Sequence, residues 1–384
     1  MEYRTKKWLD YFAGGLLMGG LMPLVWLLGK ILRREHALEV RGTLCFIKML
    51  GGGSLVIAYP ALLGLRDRYP QATFSLITTK GTAPLARTLG VFDRIDEVDD
   101  SSLVRLLGSG LRSLWKNFHA DTTVDLEVYS RLTTVLSSLT CARNRLGFYL
   151  DIVFWRKHLH THTVFFNRHT GSYRWYQAIA RVLGAEPASI ERCRRLMRER
   201  FGGPAEPAPQ ARRIAVGHAC SDFGRERMLT EQQWLAVFEQ RLPPSEPATV
   251  LFLGVMGDRP LANTIIDALA RRFPSARFEN LCGKLPLADS VLRLATCQEF
   301  WGIDSALLHY ARLLGLKCVS YWGPTDPATR LCPIPGLEEE IRYGKVPCSP
   351  CIHIAGEPPC HGNNVCIQSL FGQSKDYETI SWIV

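Results

Sequence analysis

Short apolar segments alternate with helix-like segments along most of the chain, and this alternation limits the fold more than any other feature. The first cycle begins at Thr43 with TLCFIKML, passes a helix that ends near Tyr69, and reaches the apolar run ATFSLIT. A later strand reads TTVDLEV at 122–128, and RLGF at 145–148 begins another. Strands that alternate with helices at this spacing predict a parallel sheet covered on both faces.

The same cycle restarts after residues 202–210, GGPAEPAPQ, which are rich in Gly, Pro and Ala and read as a linker. The second series comprises strands at 213–219, 248–255, 299–303 and 317–323 and helices at 231–241, 261–272, 287–295 and 306–314. A chain of 384 residues can bury two cores. We therefore predict an α/β protein with two facing Rossmann-like, doubly wound domains at 41–203 and 211–384, preceded by an apolar helical extension at 1–40.

The extension contains an uncharged run, Tyr11–Gly29, with cationic residues on both sides: Arg4, Lys6, Lys7, Lys30, Arg33 and Arg34. Its length approaches that of a membrane span, which needs roughly 20 residues. Several glycines and Pro23 favour a re-entrant or in-plane anchor as an alternative to a straight span. We predict membrane association, and a buried helical hairpin or an oligomer contact is the other interpretation.

Charge and cysteine content indicate partners and compartment. The chain has 46 Lys and Arg against 36 Asp and Glu, a formal net charge of +10, which suits phosphorylated substrates, a lipid surface or nucleic acid. Nucleic acid is the weakest of these because no recognition module is present. Twelve cysteines are too few for a disulfide scaffold in a chain of this length, so the sequence favours a reducing cytoplasm.

Four cysteines near the C-terminus, Cys348, Cys351, Cys360 and Cys366, stand close to His353 and His361. They could hold a structural zinc ion, form a disulfide, or pack a loop as reduced thiols. The second pair lacks the close spacing of usual zinc sites. The sequence therefore predicts no required metal and leaves zinc as the lesser alternative.

Three turns that follow predicted strands could bind a ligand. The first, Gly51-Gly52-Gly53-Ser54, lets a ligand approach the backbone, and Ser54 could cap the next helix. It is neither a dinucleotide-binding fingerprint nor a P-loop, and it could instead be a turn that merely packs closely.

The second turn contains Asp304 and Ser305, either of which could cap a helix whose first amides, at 305–307, would face an anion. His309 could reach the same helix end, although a capped core helix with a buried histidine would have the same sequence. The third turn, at 323–327, is rich in Gly, Pro and Asp and belongs beside the same ligand.

The segment GIDSALLHYARLLGLKCVSYWGPTDP resembles the donor-site signature of glycosyltransferase family 9, the bacterial lipopolysaccharide heptosyltransferases. IKMLGGGSLVIAYPALLGLRDRYPQA, DTTVDLEVYSRLTTVLSSL and RLGF resemble other segments of the family. The resemblance implies a GT-B fold and transfer of heptose from an ADP-activated donor to a lipid-linked saccharide. It also implies a role in bacterial surface polysaccharide or lipopolysaccharide synthesis at the cytoplasmic face of the inner membrane.

The resemblance also implies donor-binding residues. Asp304 and the amides near Ser305 would hold the phosphates and sugar, Arg227 stands where the family carries a lysine that binds phosphate, and Asp258 would bond the ribose. Arg227 could also be one more solvated cation. Because cations and helix amides can neutralise the leaving diphosphate, no metal is required. The full set is Asp304, Ser305, Ala306, Leu307, His309, Arg227, Ser221, Asp258, Gly283, Lys284 and Thr325, with Gly51, Gly52 and Gly53 on the acceptor side.

One departure concerns the catalytic base. Ser54 stands where the family has an aspartate, and a serine cannot deprotonate an acceptor hydroxyl unaided. Glu127 or Asp125 could take that role, because residues two apart on a strand face the same side. They could equally pair with Arg131 or Arg143. The other interpretations are a nucleotide-sugar epimerase and a non-catalytic, membrane-bound subunit.

Overall fold

The computed structural model describes residues 1–32, 34–204, 212–220, 224–352, 358 and 360–372. The chain forms two compact units, Met1–Ser189 and Ile190–Val384, and each contains a six-stranded sheet whose strands are all parallel. The predicted pair of doubly wound α/β sheets is confirmed.

The sheet of the first unit has the strand order β3-β2-β1-β4-β5-β6. Its strands are β1 (Thr43–Lys48), β2 (Thr73–Thr79), β3 (Arg94–Val98), β4 (Thr122–Asp125), β5 (Asn144–Tyr149) and β6 (His162–Phe165). The helices are α1 (Tyr3–Leu32), α2 (Gly53–Arg68), α3 (Ala83–Leu89), α4 (Leu103–Lys116), α5 (Arg131–Leu139) and α6 (Ser172–Val182), with a 3₁₀ segment at Asp151–His158. The central strand β1 is almost wholly apolar because helices cover both of its faces.

The sheet of the second unit has the order β12-β11-β10-β7-β8-β9. Its strands are β7 (Arg212–Gly217), β8 (Ala248–Phe252), β9 (Ala276–Asn280), β10 (Glu299–Ile303), β11 (Lys317–Trp322) and β12 (Glu339–Tyr343). The helices are α7 (Ile190–Phe201), α8 (Glu231–Arg241), α9 (Arg259–Arg272), α10 (Leu287–Ala295), α11 (Ala306–Leu314), α12 (Pro327–Arg330) and α13 (Val365–Ser369), with short 3₁₀ turns at Arg225–Arg227 and Met256–Asp258.

The boundary between the two units falls before α7, whereas the sequence analysis assigns residues up to 203 to the first domain. Helix α7 packs against α10 and α11 of the second unit, and Arg198 donates a hydrogen bond to the Leu314 carbonyl at 2.7 Å. Most of the expected linker, 205–210, lies outside the described residues.

Helix α1 is one continuous helix that includes Pro23, so the alternative interpretation as a buried helical hairpin is wrong. By length and composition it could cross a membrane, and only 6% of its most apolar window is buried. Its N-terminal half packs on α5, where Asp10 accepts hydrogen bonds from the Arg131 and Leu132 amides at 3.0 and 2.9 Å and from the Ser130 hydroxyl at 2.6 Å. Asp10 therefore caps a helix that is distant in sequence.

Replacing Asp10 by alanine should lower the free energy of unfolding by about 1–2 kcal/mol, because the first amides of α5 lose their acceptor. Urea denaturation followed by circular dichroism measures the change. Glu2→Ala, at an exposed carboxylate immediately before α1, is the control and should alter stability by less than about 0.5 kcal/mol. Equal stability of the Asp10 variant and the wild type would contradict this capping role.

Candidate functional site

Two glycines lie opposite each other where the central strands of the second sheet end. Gly217 of β7 pairs with Gly302 of β10, and a Cβ atom at either position would come within 2.6 or 2.5 Å of the Phe300 ring. Only glycine fits at both positions. The backbone of the following turns therefore runs close to the strand ends, the edge at which parallel α/β sheets bind their ligands.

The turn after β10 presents the N-terminus of α11. Ser305 occupies the N-cap position with an extended backbone, but its side chain makes no capping hydrogen bond. Its hydroxyl is buried and has no hydrogen-bond partner among the described residues. The expectation that Ser305 or Asp304 caps this helix is therefore wrong. Ser305, Ala306 and Leu307 are half-buried, and the positive end of the helix dipole lies at these residues.

Arg227 and Asp304 form a nearly buried ion pair beside that helix end. The Arg227 Nη1 atom lies 3.2 Å from the Asp304 carboxylate and donates a hydrogen bond to the Asp304 carbonyl at 2.8 Å. Its Nε atom donates to the Gly224 carbonyl at 3.1 Å. These three contacts fix the guanidinium, so the interpretation of Arg227 as a solvated cation is wrong.

The same pair determines the charge state of its neighbours. Burial raises the pKa of Asp304, but Arg227 and Arg330 outweigh that effect and hold the pKa below its usual value. Burial lowers the pKa of His309 to about 4, and the Asp304 carboxylate only partly offsets this shift. Near neutral pH the site therefore combines an ionised Asp304 with a neutral His309 and two guanidinium groups.

The turns after β8 and β9 contact each other. The Asp258 carboxylate accepts a hydrogen bond from the Val255 amide at 2.8 Å, and the His218 ring contacts the Asp258 carbonyl at 3.2 Å. Gly283 has a φ of +67°, and a Cβ atom there would come within 2.6 Å of the Met256 backbone. The next residue, Lys284, is exposed.

Thr325 is the remaining predicted donor residue that the structure describes. Thr325 is buried after β11, near the Asp304 carboxylate. The next residue, Asp326, caps α12 by accepting a hydrogen bond from the Ala328 amide at 2.8 Å. Ser221 lies outside the described residues.

The glycine turn of the first unit leads directly into α2. Gly51 has a φ of +68°, and a Cβ atom on Gly52 would come within 2.6 Å of Leu85. Helix α2 begins after Gly52, and the Ser54 hydroxyl donates to the Gly51 carbonyl at 2.6 Å. The predicted cap by Ser54 is therefore wrong, because its hydroxyl closes the turn instead.

Glu127 contacts the same turn. Its Oε1 atom accepts hydrogen bonds from the Met49 and Leu50 amides at 2.9 and 2.8 Å and lies 2.9 Å from the Lys48 ammonium. Strand β4 ends at Asp125, so Glu127 lies beyond the strand. The expectation that Asp125 and Glu127 face the same side of one strand therefore does not apply. Burial lowers the pKa of Lys48, but Glu127 and other neighbours outweigh that effect and raise it.

Asp125 is fully buried. Its carboxylate lies 3.0 Å from Arg156, accepts a hydrogen bond from the Thr133 hydroxyl at 3.0 Å, and lies 3.8 Å from the His160 ring. Burial raises the pKa of Asp125 to about 6. The expected pairing of the two carboxylates with Arg131 or Arg143 is wrong: Arg156 and Lys48 are their partners, and Arg143 pairs with Asp121 at 2.9 Å.

The C-terminal cysteines pack against the second core. Cys366 is buried in that core, Cys348 and Cys360 contact it, and the Cys351 amide donates to the Pro324 carbonyl at 3.1 Å. All twelve cysteines are free thiols. Within the described part of the chain, no group of three or more His, Cys, Asp or Glu residues is arranged to hold a metal ion, and His353 lies outside that part.

Comparison with known families gives one match. Residues 205–358 match the sequence model of glycosyltransferase family 9 (heptosyltransferase), a segment that contains Arg227, Asp258, Asp304 and Thr325. The resemblance to this family is thereby confirmed. No curated protein sequence matches the chain.

Solved structures show the same fold. Escherichia coli ADP-heptose lipopolysaccharide heptosyltransferase II superposes with a TM-score of 0.59 at 17% identity, over 86% of this chain and 99% of that one. A family 9 glycosyltransferase from Veillonella parvula gives 0.59 at 15% identity over 80% and 87% of the two chains. E. coli heptosyltransferase WaaC with ADP-2-deoxy-2-fluoro heptose superposes with a TM-score of 0.58 at 14% identity, over 78% of this chain and 92% of that one. The chain therefore has the GT-B fold, and the family 9 match supports a glycosyltransferase.

Three residues near these sites have no role in the sequence analysis. Arg330 lies near Asp304, His218 contacts the Asp258 carbonyl, and Lys48 pairs with Glu127. The sequence could have predicted a role for Lys48, because a lysine at the end of an otherwise apolar central strand requires an anion beside it when it is buried. Arg330 and His218 become neighbours of the site only through the fold.

The depressed pKa of His309 predicts a dependence of stability on pH. Between its unfolded value of 6.5 and its folded value of about 4, the unfolded chain binds the proton and the folded chain does not, so stability falls as the pH decreases. From pH 7 to pH 5 the wild type should lose about 2 kcal/mol more than His309→Gln. Urea denaturation at both pH values measures this difference, and parallel losses in the two proteins would contradict it.

Proposed function

We propose that this protein transfers heptose from an ADP-activated donor to a lipid-linked saccharide acceptor in the synthesis of a bacterial surface polysaccharide or lipopolysaccharide. The Arg227–Asp304 pair at the start of α11, within the family 9 match, is the main support for this proposal. ADP and the heptosyl group are suggested by the ADP-heptose enzymes that have the same fold.

In this proposal the donor diphosphate binds at the N-terminus of α11. The amides of Ser305, Ala306 and Leu307 and the Arg227 guanidinium attract its negative charge. Asp304 positions Arg227 and accepts hydrogen bonds from the sugar hydroxyls, with His309 and Thr325 beside it. Asp258 faces the ribose, and Gly283 and Lys284 lie along the base. Ser221 is also assigned to donor binding in this proposal.

The transfer exchanges one bond at the anomeric carbon of the donor sugar. The acceptor oxygen forms a bond to that carbon, the bond from the carbon to the diphosphate breaks, and ADP leaves with the electron pair. Arg227, Lys284 and the helix amides stabilise the charge that develops on the diphosphate, and no metal ion is required for that role.

Glu127 is the proposed general base, which takes the proton of the acceptor hydroxyl. Its hydrogen bonds to the Met49 and Leu50 amides support this choice, because they hold the carboxylate next to the turn Gly51-Gly52-Gly53 on the proposed acceptor side. Burial and the contact with Arg156 argue against Asp125. The hydrogen bond from Ser54 to Gly51 argues for a structural role of that hydroxyl.

The apolar N-terminal helix supports the proposed acceptor and cellular location. A lipid-linked acceptor is presented at a membrane surface, and α1 is long and apolar enough to associate with one. We place the enzyme at the cytoplasmic face of the inner membrane, where twelve free thiols are stable and ADP-activated sugars are available.

A second candidate function is a non-catalytic or differently specific GT-B protein, either a membrane-bound subunit or a nucleotide-sugar epimerase. The replacement of the family's aspartate by Ser54 favours it. An epimerase would convert the free donor without an acceptor, and incubation of the protein with ADP-heptose alone tests for that product.

Calorimetry tests the donor site. Arg227→Gln should weaken binding of ADP-heptose roughly ten- to a hundredfold, because it removes a charge-assisted hydrogen-bond donor from the diphosphate. Arg227→Lys keeps a positive charge opposite Asp304 and should lose less affinity. Arg225→Gln, in the same 3₁₀ turn, is the exposed matched control. If wild-type protein binds no ADP-sugar, or if all variants bind equally, the donor site is misassigned.

The base is tested with Glu127→Gln. This variant should lower kcat by roughly a hundred- to a thousandfold and leave the affinity for ADP-heptose unchanged, because proton transfer is lost and the donor site is intact. Transfer to a lipid extract is the assay, and Glu97→Gln on the same sheet is the control. A Glu127→Gln protein with full transferase activity would refute this assignment, and a wild type that binds donor without transfer would favour the non-catalytic subunit.

A further inference from the structure

Helix α4 exposes a row of large apolar side chains to solvent. Val104, Leu107, Leu111 and Trp115 follow one another at intervals of three or four residues, so they lie along one face of the helix, and Phe118 follows the helix on the same spacing. Val104 is 80% exposed and Trp115 is 81% exposed. The opposite side of α4 packs on the sheet through Leu106. This outer row is therefore not required for the core of the first unit.

The start of α4 lies near the start of α1, on the face of the sheet that α5 also covers. Leu106 of α4 and Leu136 of α5 pack against the same core cluster, and α1 packs on α5. Near the start of α4, Lys6 of α1 forms an ion pair with Asp100. The exposed residues of α1 include Trp8, Phe12 and Leu16, which line an open groove of about 870 Å³.

The 3₁₀ segment beside α1 extends this surface. It contacts α1 and exposes Ile152 and Phe154. The Arg131 guanidinium lies between the rings of Tyr11 and Trp155, 4.1 and 4.7 Å from their centres, and joins the two elements. The 3₁₀ segment is thus held against α1, and the ion pair between Lys6 and Asp100 places the start of α4 near the start of α1.

Most of the exposed charged side chains on these elements are cationic. Arg105, Arg112 and Lys116 are exposed on α4, and the helix contains no acidic residue. Arg105 lies 3.9 Å from Asp99 and Lys116 lies 3.2 Å from Asp96, so two of these cations have acidic neighbours. Lys7 and Lys30 are exposed on α1, and Lys157 is exposed beside Phe154. Apolar side chains that alternate with Lys and Arg, together with exposed tryptophans, are typical of helices that lie in the interface of an anionic bilayer.

The attachment of α1 limits how it can enter a bilayer. Gly14 packs so closely that a Cβ atom there would come within 2.7 Å of the Arg131 side chain, and Met18 is buried. The residues from Gly19 to Leu32 extend about 21 Å as a helix, whereas a hydrocarbon core is about 30 Å thick. With its first half attached to α5, α1 is too short to span a membrane.

We propose that α4, α1 and the segment at 152–154 form a single monotopic surface that binds an anionic lipid bilayer, with α4 lying in the interface. The apolar side chains enter the boundary of the acyl chains, and the cations contact the lipid headgroups. This surface stands on contacts within the first unit and is independent of the proposed donor site.

Flotation of the full-length protein with lipid vesicles tests the role of α4. Vesicles of phosphatidylcholine with roughly one third phosphatidylglycerol should bind the wild type more tightly than phosphatidylcholine alone. The double variant Leu107→Asp, Leu111→Asp should lower the partition coefficient at least about tenfold. Leu292→Asp, at an exposed leucine of the second unit, is the matched control and should bind as the wild type does. Arg105→Gln with Arg112→Gln should reduce the preference for anionic vesicles.

Quenching of tryptophan fluorescence by doxyl-labelled lipids reports the depth of each helix. Signal that is lost in Trp115→Phe should be quenched by shallow labels, because α4 lies in the interface. The fluorescence of Trp26, obtained as the difference between the wild type and Trp26→Phe, should be quenched more by shallow labels than by deep ones. Stronger quenching by the deep labels would show that α1 spans the bilayer and would overturn the proposal.

Two further outcomes also overturn the proposal. One is unchanged vesicle binding by the Leu107 and Leu111 double variant. The other is a role of the apolar face of α4 in joining two copies of the chain. Sedimentation without lipid would then show an oligomer for the wild type and a monomer for the double variant, and both proteins would still bind vesicles. Circular dichroism of each variant establishes that it is folded. Calorimetry with ADP-heptose should be unaffected by the α4 changes, so failure of this proposal is separable from failure of the donor site.

Discussion

Burial of both faces of two parallel sheets is the constraint on which the rest of the structure depends. Because helices cover each face, the strands are apolar along most of their length, and polar chemistry is confined to the turns at their carboxyl ends. Gly217 and Gly302 show how tightly this edge is packed, since neither has space for a Cβ atom. The Arg227–Asp304 pair and the start of α11 lie at the same edge.

Each sheet has a carboxylate paired with a cation at that edge. Asp304 pairs with Arg227 after β10, and Glu127 pairs with Lys48 beyond β4. Asp125 lies at the end of the same strand β4, yet its contacts with Arg156 and Thr133 are entirely internal. Glu127 and Asp125 are only two residues apart in sequence, yet Glu127 holds a turn at the surface and Asp125 makes its contacts in the interior.

The sequence predicted the central strands and the signature turn, because both have strong local patterns. The strands that it missed are the four sheet edges, β3, β6, β9 and β12. β3, β9 and β12 read RIDEV, ARFEN and EEIRY and contain too many charged residues to resemble a buried strand, and β6, HTVF, has only four residues. Edge strands are covered less fully, so their residues follow solvent exposure more than sheet burial. The sequence also could not predict the partners of the site residues. Arg156 approaches Asp125 only because the 30 residues between them fold back, and no spacing rule anticipates this contact.

The cap that Asp10 provides to α5 links the apolar helix α1 to the stability of the first unit. A chain shortened to begin after α1 would lose that acceptor and the aromatic neighbour of Arg131, so removal of the apolar helix for solubility would also weaken the domain behind it. The linkage is reciprocal. A bilayer that bound the proposed surface of α1 and α4 in their docked arrangement would stabilise the folded first unit by mass action, so lipid would act as a folding ligand for this protein.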